Sequence, residues 1–111
     1  MGTLLIHIYL AAGAYNLDPA ILRSLCTVES NLQVNAVNLH DGGPGEHSLG
    51  ICQIKYTTAL QMGMNRDSNC VSVKRLSKCQ LMQPDINLLY AAAYLRFQLN
   101  RYNGNIHKAV S

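Results

Sequence analysis

The sequence predicts a mainly α-helical domain with one long loop, or a short β-hairpin, inserted after its second helix. Three observations carry that expectation. Apolar residues recur at helical three-and-four spacing over much of the chain. Asp18-Pro19 and Pro84-Asp85 punctuate two helix starts. Between residues 31 and 50 the periodicity lapses and turn residues gather in HDGGPG.

Each element follows in order. A first helix is expected over about residues 3–14. The stretch TLLIHIYLAA within it is about half the length that a bilayer span needs, so no stable membrane insertion is expected. Ala12-Gly13-Ala14 mimics a signal-cleavage site, yet no Lys or Arg precedes the apolar run, and a first domain helix is the reading we adopt. Asn16 stops that helix. Asp18 is placed to cap the next one, with Pro19 at its first position, and that helix is expected to run to about Ser30. A brief extended segment is expected around Leu49–Ile54. Thr57 or Thr58 is placed to cap a short helix ending at Gly63, and residues 64–83 read as irregular. The longest helix, about residues 85–101, opens with Asp85 in its first turn. It is apolar on nearly every face, which predicts a central position. Asn103-Gly104 ends it, and a further helix begins at Ile106.

Composition bounds the function. At 111 residues the chain is expected to form one domain. With 49% hydrophobic and 14% charged residues it is globular rather than disordered. Nine Lys/Arg against six Asp/Glu give a net charge of +3, compatible with an anionic polymer but too weak to argue for nucleic acid. The four cysteines show no CxxC or CxxH spacing, so no metal site is expected. Cys70 and Cys79 flank VSVKRLSK and are placed to close a disulfide, which would favour a non-cytosolic destination. Cys26 reads as a small core hydrophobe. Cys52 with His47 would need a third, orienting group to make a thiol nucleophile, and none is evident. GxSxG, Walker and GxGxxG motifs are absent.

Glu29 stands out. On the second helix it shares a stripe with Leu22, Leu25 and Cys26, whereas Arg23, Ser24 and Thr27 take the wet face. It is therefore expected to be half-withdrawn from water at the mouth of the Gly-rich loop. A carboxyl in that setting holds its proton longer, which suits a proton donor near neutral pH. Of the other acids, Asp18 and Asp85 read as helix-start residues and Asp67 lies in a distant polar loop. Asp41 and Glu46 alone could reach the site, so a two-carboxylate glycosidase is open, while a one-carboxylate mechanism needs fewer assumptions. Ser48, Gly50 and Gln53, in SLGICQI, are candidates to line a polar groove, with Gly50 permitting close approach of a ligand.

Three segments in order resemble the lytic transglycosylase domain of the goose-lysozyme-like superfamily. AAGAYNLDPAILRSLCTVESNLQVNAVN (11–38) resembles the opening helix pair, whose second helix ends in Glu-Ser. SLGICQIK (48–55) resembles the Ser-x-Gly-(Leu/Ile)-x-Gln-Ile core. PDINLLYAAAYLRFQLNRYNG (84–104) resembles an Asn followed by a helix bearing Tyr-Leu. The resemblance implies a lysozyme-like fold, Glu29 as catalytic acid/base, Ser48, Gly50 and Gln53 as groove residues, and Asn87, Tyr90 and Tyr94 on the helix forming the groove floor. It departs where Cys52 replaces a frequent Met and Asn38 a frequent Ser.

The family usually continues with Ala-Tyr-Asn-x-Gly, and this chain reaches IHKAVS where that segment would begin, so a domain lacking its C-terminal segment is expected. The implied activity is cleavage of the MurNAc-β-1,4-GlcNAc bond of peptidoglycan in the periplasm or cell wall, with a 1,6-anhydromuramoyl product and no metal or cofactor. The alternatives are a hydrolase on the same fold, with Asp41 or Glu46 positioning water, and a non-catalytic peptidoglycan-binding module. DGG…SLGICQIK is most similar to phage-encoded members, which implies virion or lysis proteins as further partners.

Overall fold

The structure, a computed structural model, describes residues 2–39 and 47–110. Helix α1 (Gly2–Ala14) buries Ile8, Ala11 and Ala12, with Leu4 and Leu5 packed beside them. That spacing places one face on the core. Helix α2 (Pro19–Ser30) starts as expected: the Asp18 carboxylate accepts from the Ala20 N–H at 2.9 Å, with Pro19 at the first position. It ends at Asn31 in the left-handed region (φ 56°), whose N–H reaches the Thr27 carbonyl at 2.7 Å.

The segment after α2 contributes to a small antiparallel sheet in the order β1 (Val37–Asn38), β2 (Ser48–Leu49), β3 (Ile54–Lys55). Val37 faces Leu49 and Ser48 faces Lys55. The single extended segment expected over Leu49–Ile54 is instead two strands joined by a turn. Gly50 (φ 79°) and Gln53 (φ 52°) take left-handed conformations at its ends, and the Gln53 N–H closes on the Gly50 carbonyl at 3.0 Å.

Helix α3 (Tyr56–Gln61) corrects the expected cap. Lys55, not Thr57 or Thr58, holds the N-cap position and makes no side-chain cap bond. The start is fixed by the Tyr56 hydroxyl instead, which accepts from the Asp67 N–H at 2.8 Å. Residues 64–83 are also more ordered than the sequence predicts, with helix α4 (Ser68–Val71) and two 3-10 segments, Val73–Lys78 and Gln80–Met82. The Asp67 carboxylate organises this stretch by accepting from the Asn69 and Gln80 N–H groups.

Helix α5 (Pro84–Arg101) is the spine. It buries Asn87, Leu88, Ala91, Ala92, Leu95 and Leu99 and packs against α1. Its apolar surface exceeds its buried face, because Leu89 and Phe97 remain 43% and 54% exposed. Helix α6 (Ile106–Val110) folds back on α5. There Leu95, Leu99 and Ala109 form a second, smaller core with Ile21 and Leu25. Among the described residues no helix is long and apolar enough to cross a membrane.

All four cysteines are paired. Cys70–Cys79 forms the expected bridge. Cys26, read from sequence as a core hydrophobe, is bonded to Cys52. Helical periodicity reports burial and says nothing of a partner 26 residues away.

Candidate functional site

A groove of about 380 Å³ opens between α2, the β2–β3 turn, α5 and α6. Helix α2 supplies Leu25 and Glu29, one turn apart on its core-facing stripe. The turn and the elements after it supply Cys52, Gln53, Ile54, Lys55 and Thr58. Helix α5 supplies Ala91, Tyr94, Leu95 and Gln98, and α6 closes one end with Ala109 and Val110. The size and the mixed apolar and polar lining suit part of a chain-like ligand.

Glu29 is exposed, a correction to the half-buried placement its stripe predicts. Cys26 is the last buried residue of α2, and the left-handed Asn31 ends the helix just beyond Glu29. The carboxylate has no hydrogen-bond or ion-pair partner among the described residues. It sits in the last turn of a helix, where the helix dipole disfavours a negative charge. Nothing in this placement serves stability.

The groove wall opposite Glu29 is braced from several directions. The Gln53 amide donates to the Ala36 and Gly50 carbonyls, both at 3.0 Å, which holds its side chain along the turn. The Ser30 hydroxyl donates to the Ile51 carbonyl at 2.5 Å, tying α2 to the same turn. From below, buried Asn87 accepts from the Cys52 N–H at 2.9 Å and donates to the Leu49 and Leu81 carbonyls at 2.7 and 2.8 Å. On the α5 side, Gln98 donates to the Tyr94 hydroxyl at 2.9 Å. Its own Oε1 is buried without a partner, an acceptor available to a donor.

Of the residues expected at the site, the structure brings Glu29, Gln53 and Tyr94 into one groove. The others lie elsewhere. Ser48 and Asn87 are fully buried. Gly50 does permit a close approach, but by Asn87 rather than a ligand: a Cβ there would lie 2.5 Å from Asn87 Nδ2. Tyr90 faces away, lining a hollow on the other side of α5 with Tyr15, Arg96 and Phe97. Asp41 and Glu46 lie outside the described residues. The Cys52–His47 thiol pair that the sequence disfavours is not formed either: Cys52 is in a disulfide and His47 Nδ1 lies 3.3 Å from the Cys70 carbonyl.

Sequence reasoning missed Lys55, Thr58, Gln98 and the α6 residues. Gln98 was findable, one turn beyond Tyr94 on the same helix face. Ala109 and Val110 carry no local signal, because folding alone brings them to the groove. Asp67, Cys70 and Cys79 place donor atoms within 4.8 Å of one another, but the disulfide leaves no thiolate for a metal.

No solved structure gives a significant match to this chain. A family match does cover almost all of it: the transglycosylase SLT domain aligns with residues 7–111, from α1 through the acid-bearing helix, the braced turn and α5. The chain belongs to the transglycosylase SLT domain family, whose members are lytic transglycosylases acting on cell-wall peptidoglycan.

Proposed function

We propose that this chain cleaves the MurNAc-β-1,4-GlcNAc bond of peptidoglycan without consuming water, with Glu29 as general acid and then general base. The observation that carries the reading is the inventory of acids. Glu29 is the one carboxylate lining the groove among the described residues. Asp18 and Asp67 are spent on backbone N–H groups, and Asp85 sits in the first turn of α5.

A single carboxylate accounts for both halves of the reaction. Glu29 gives its proton to the glycosidic oxygen as the C1–O bond breaks. The 2-acetamido oxygen of the muramoyl residue stabilises the cationic C1, as in substrate-assisted glycosidases. The Glu29 carboxylate then takes the proton of the C6 hydroxyl, and O6 closes on C1 as the 1,6-anhydro ring. The proton is returned to Glu29. Gln53, Tyr94 and Gln98 offer hydrogen bonds along the groove to orient the sugars.

The test is mass spectrometry of muropeptides released from purified sacculi. The wild-type chain is expected to release anhydro products, lighter by one water than hydrolysed ones, and Glu29→Gln to release none while still binding the wall. Hydrolysed products would replace this reading with a lysozyme-type reaction. Binding by wild type and Glu29→Gln alike, with no release by either, would leave a binding module.

A further inference from the structure

We propose that the Cys26–Cys52 disulfide is a positioning bond for the site, setting where Glu29 stands relative to the groove wall. The inference rests on the reading of Glu29 as the acid. Cys26 is fully buried one turn before Glu29 on the same stripe of α2. Cys52 itself lines the groove and is the neighbour of Gln53. The bridge therefore joins the turn of helix that carries the acid to the backbone turn that carries the opposite wall.

A bond that served stability alone could lie anywhere in the fold. This one lies at the helix turn that carries the acid, where only one hydrogen bond, Ser30–Ile51, accompanies it among the described residues. The Glu29 carboxylate has no side-chain partner among the described residues, so its position is that of the α2 backbone. Among the described residues that backbone has two ties to the 50–53 turn, the Ser30–Ile51 hydrogen bond and the disulfide. The turn is in turn anchored to α5 through the Cys52 N–H and Asn87. The disulfide thus completes a relay from the spine of the fold to the acid. Cys26 and Cys52 act through Glu29 and are positioning residues. A catalytic group displaced by about 1 Å can lose on the order of 100-fold in rate, so a looser α2 end is expected to show in the chemical step.

The experiment compares C26A/C52A with C70A/C79A, which removes the bridge remote from the groove, in the full chain at 20 °C with folding checked by circular dichroism. C26A/C52A is expected to lose about tenfold or more in kcat for muropeptide release with KM within about twofold. C70A/C79A is expected to melt earlier yet keep its kcat. In the C70A/C79A background, dithiothreitol gives two electrons and two protons to the remaining bridge and closes to its own cyclic disulfide. The rate is expected to fall on reduction and return on reoxidation.

A second readout does not depend on activity. Amide exchange at Ser30, Asn31 and Ile51–Gln53 is expected to quicken about tenfold in C26A/C52A while Leu88–Ala92 of α5 stay protected. Unchanged kcat, or unchanged exchange at these amides, overturns the proposal. So does unfolding of both the double variant and the reduced chain, which makes the bond a stabiliser. If the wild-type chain degrades no peptidoglycan, the functional reading fails instead, and amide exchange still decides whether the bond holds the α2 end.

Discussion

Glu29 and Asn87 are opposites at the scale of the single residue. Asn87 is buried and fully employed, with its oxygen and both amide hydrogens committed to three backbone groups. Asn87→Asp keeps the acceptor but turns an anion toward the Leu49 and Leu81 carbonyls. A loss of about 4 kcal/mol is expected, read from denaturant midpoints. Gly50→Ala meets the same amide at 2.5 Å and adds a strained φ of +79°, for a cost of about 3 kcal/mol. Glu29 is exposed and unpartnered at the unfavourable end of a helix dipole. Glu29→Gln should therefore leave stability within about 1 kcal/mol of wild type, or raise it slightly, while abolishing muropeptide release. A melting temperature that falls with activity would mean that Glu29 is structural. The sequence singles out Glu29 as a candidate through the short inventory of carboxylates, while its stripe misplaces the side chain as half-buried. It cannot show that Gly50 makes room for Asn87, because those residues lie 37 positions apart and meet only on folding.

At the scale of the element, legibility follows how local the cause is. Helices α2 and α5 begin close to where the sequence places them, because a first-turn proline, joined in α2 by the Asp18 cap, acts within one turn. The strands of two residues each have no period to read, and their pairing is set by neighbours outside the segment. The same limit misjudges the spine: an all-apolar α5 predicts burial all round, but α1, α2 and α6 do not cover its Leu89 and Phe97 side. Arg96 shows how α5 holds the first helix pair. Its guanidinium donates to the Tyr15 and Asn16 carbonyls at 3.1 and 2.7 Å, bracing the bend between α1 and α2. Arg96→Ala is expected to cost about 1–2 kcal/mol, measured by thermal unfolding, with kcat unchanged, since Arg96 lies on the face of α5 away from the groove.

For the whole molecule, the two cores divide the labour. The larger one gathers α1, the sheet turn and the middle of α5, and the smaller one locks α6 against α2 and the end of α5. The groove runs along their boundary, so α6 is at once a core element and a groove wall. Ending the chain after Asn105 would uncover Leu95 and Leu99 and remove Ala109 and Val110 from the lining. A destabilisation of about 2–3 kcal/mol is expected, with weaker co-sedimentation with sacculi. Retained binding would show that the glycan does not use that end.

The Cys26–Cys52 linkage also has a topological consequence for how the chain can be cut. It encloses residues 27–51, including the whole Gly-rich HDGGPG stretch, in one covalent ring. A single peptide cleavage within that ring opens it without releasing a fragment. Nicked protein should therefore migrate as one species on non-reducing electrophoresis and as two once reduced. The half bearing α2 and the half bearing the groove wall would stay joined one turn from Glu29.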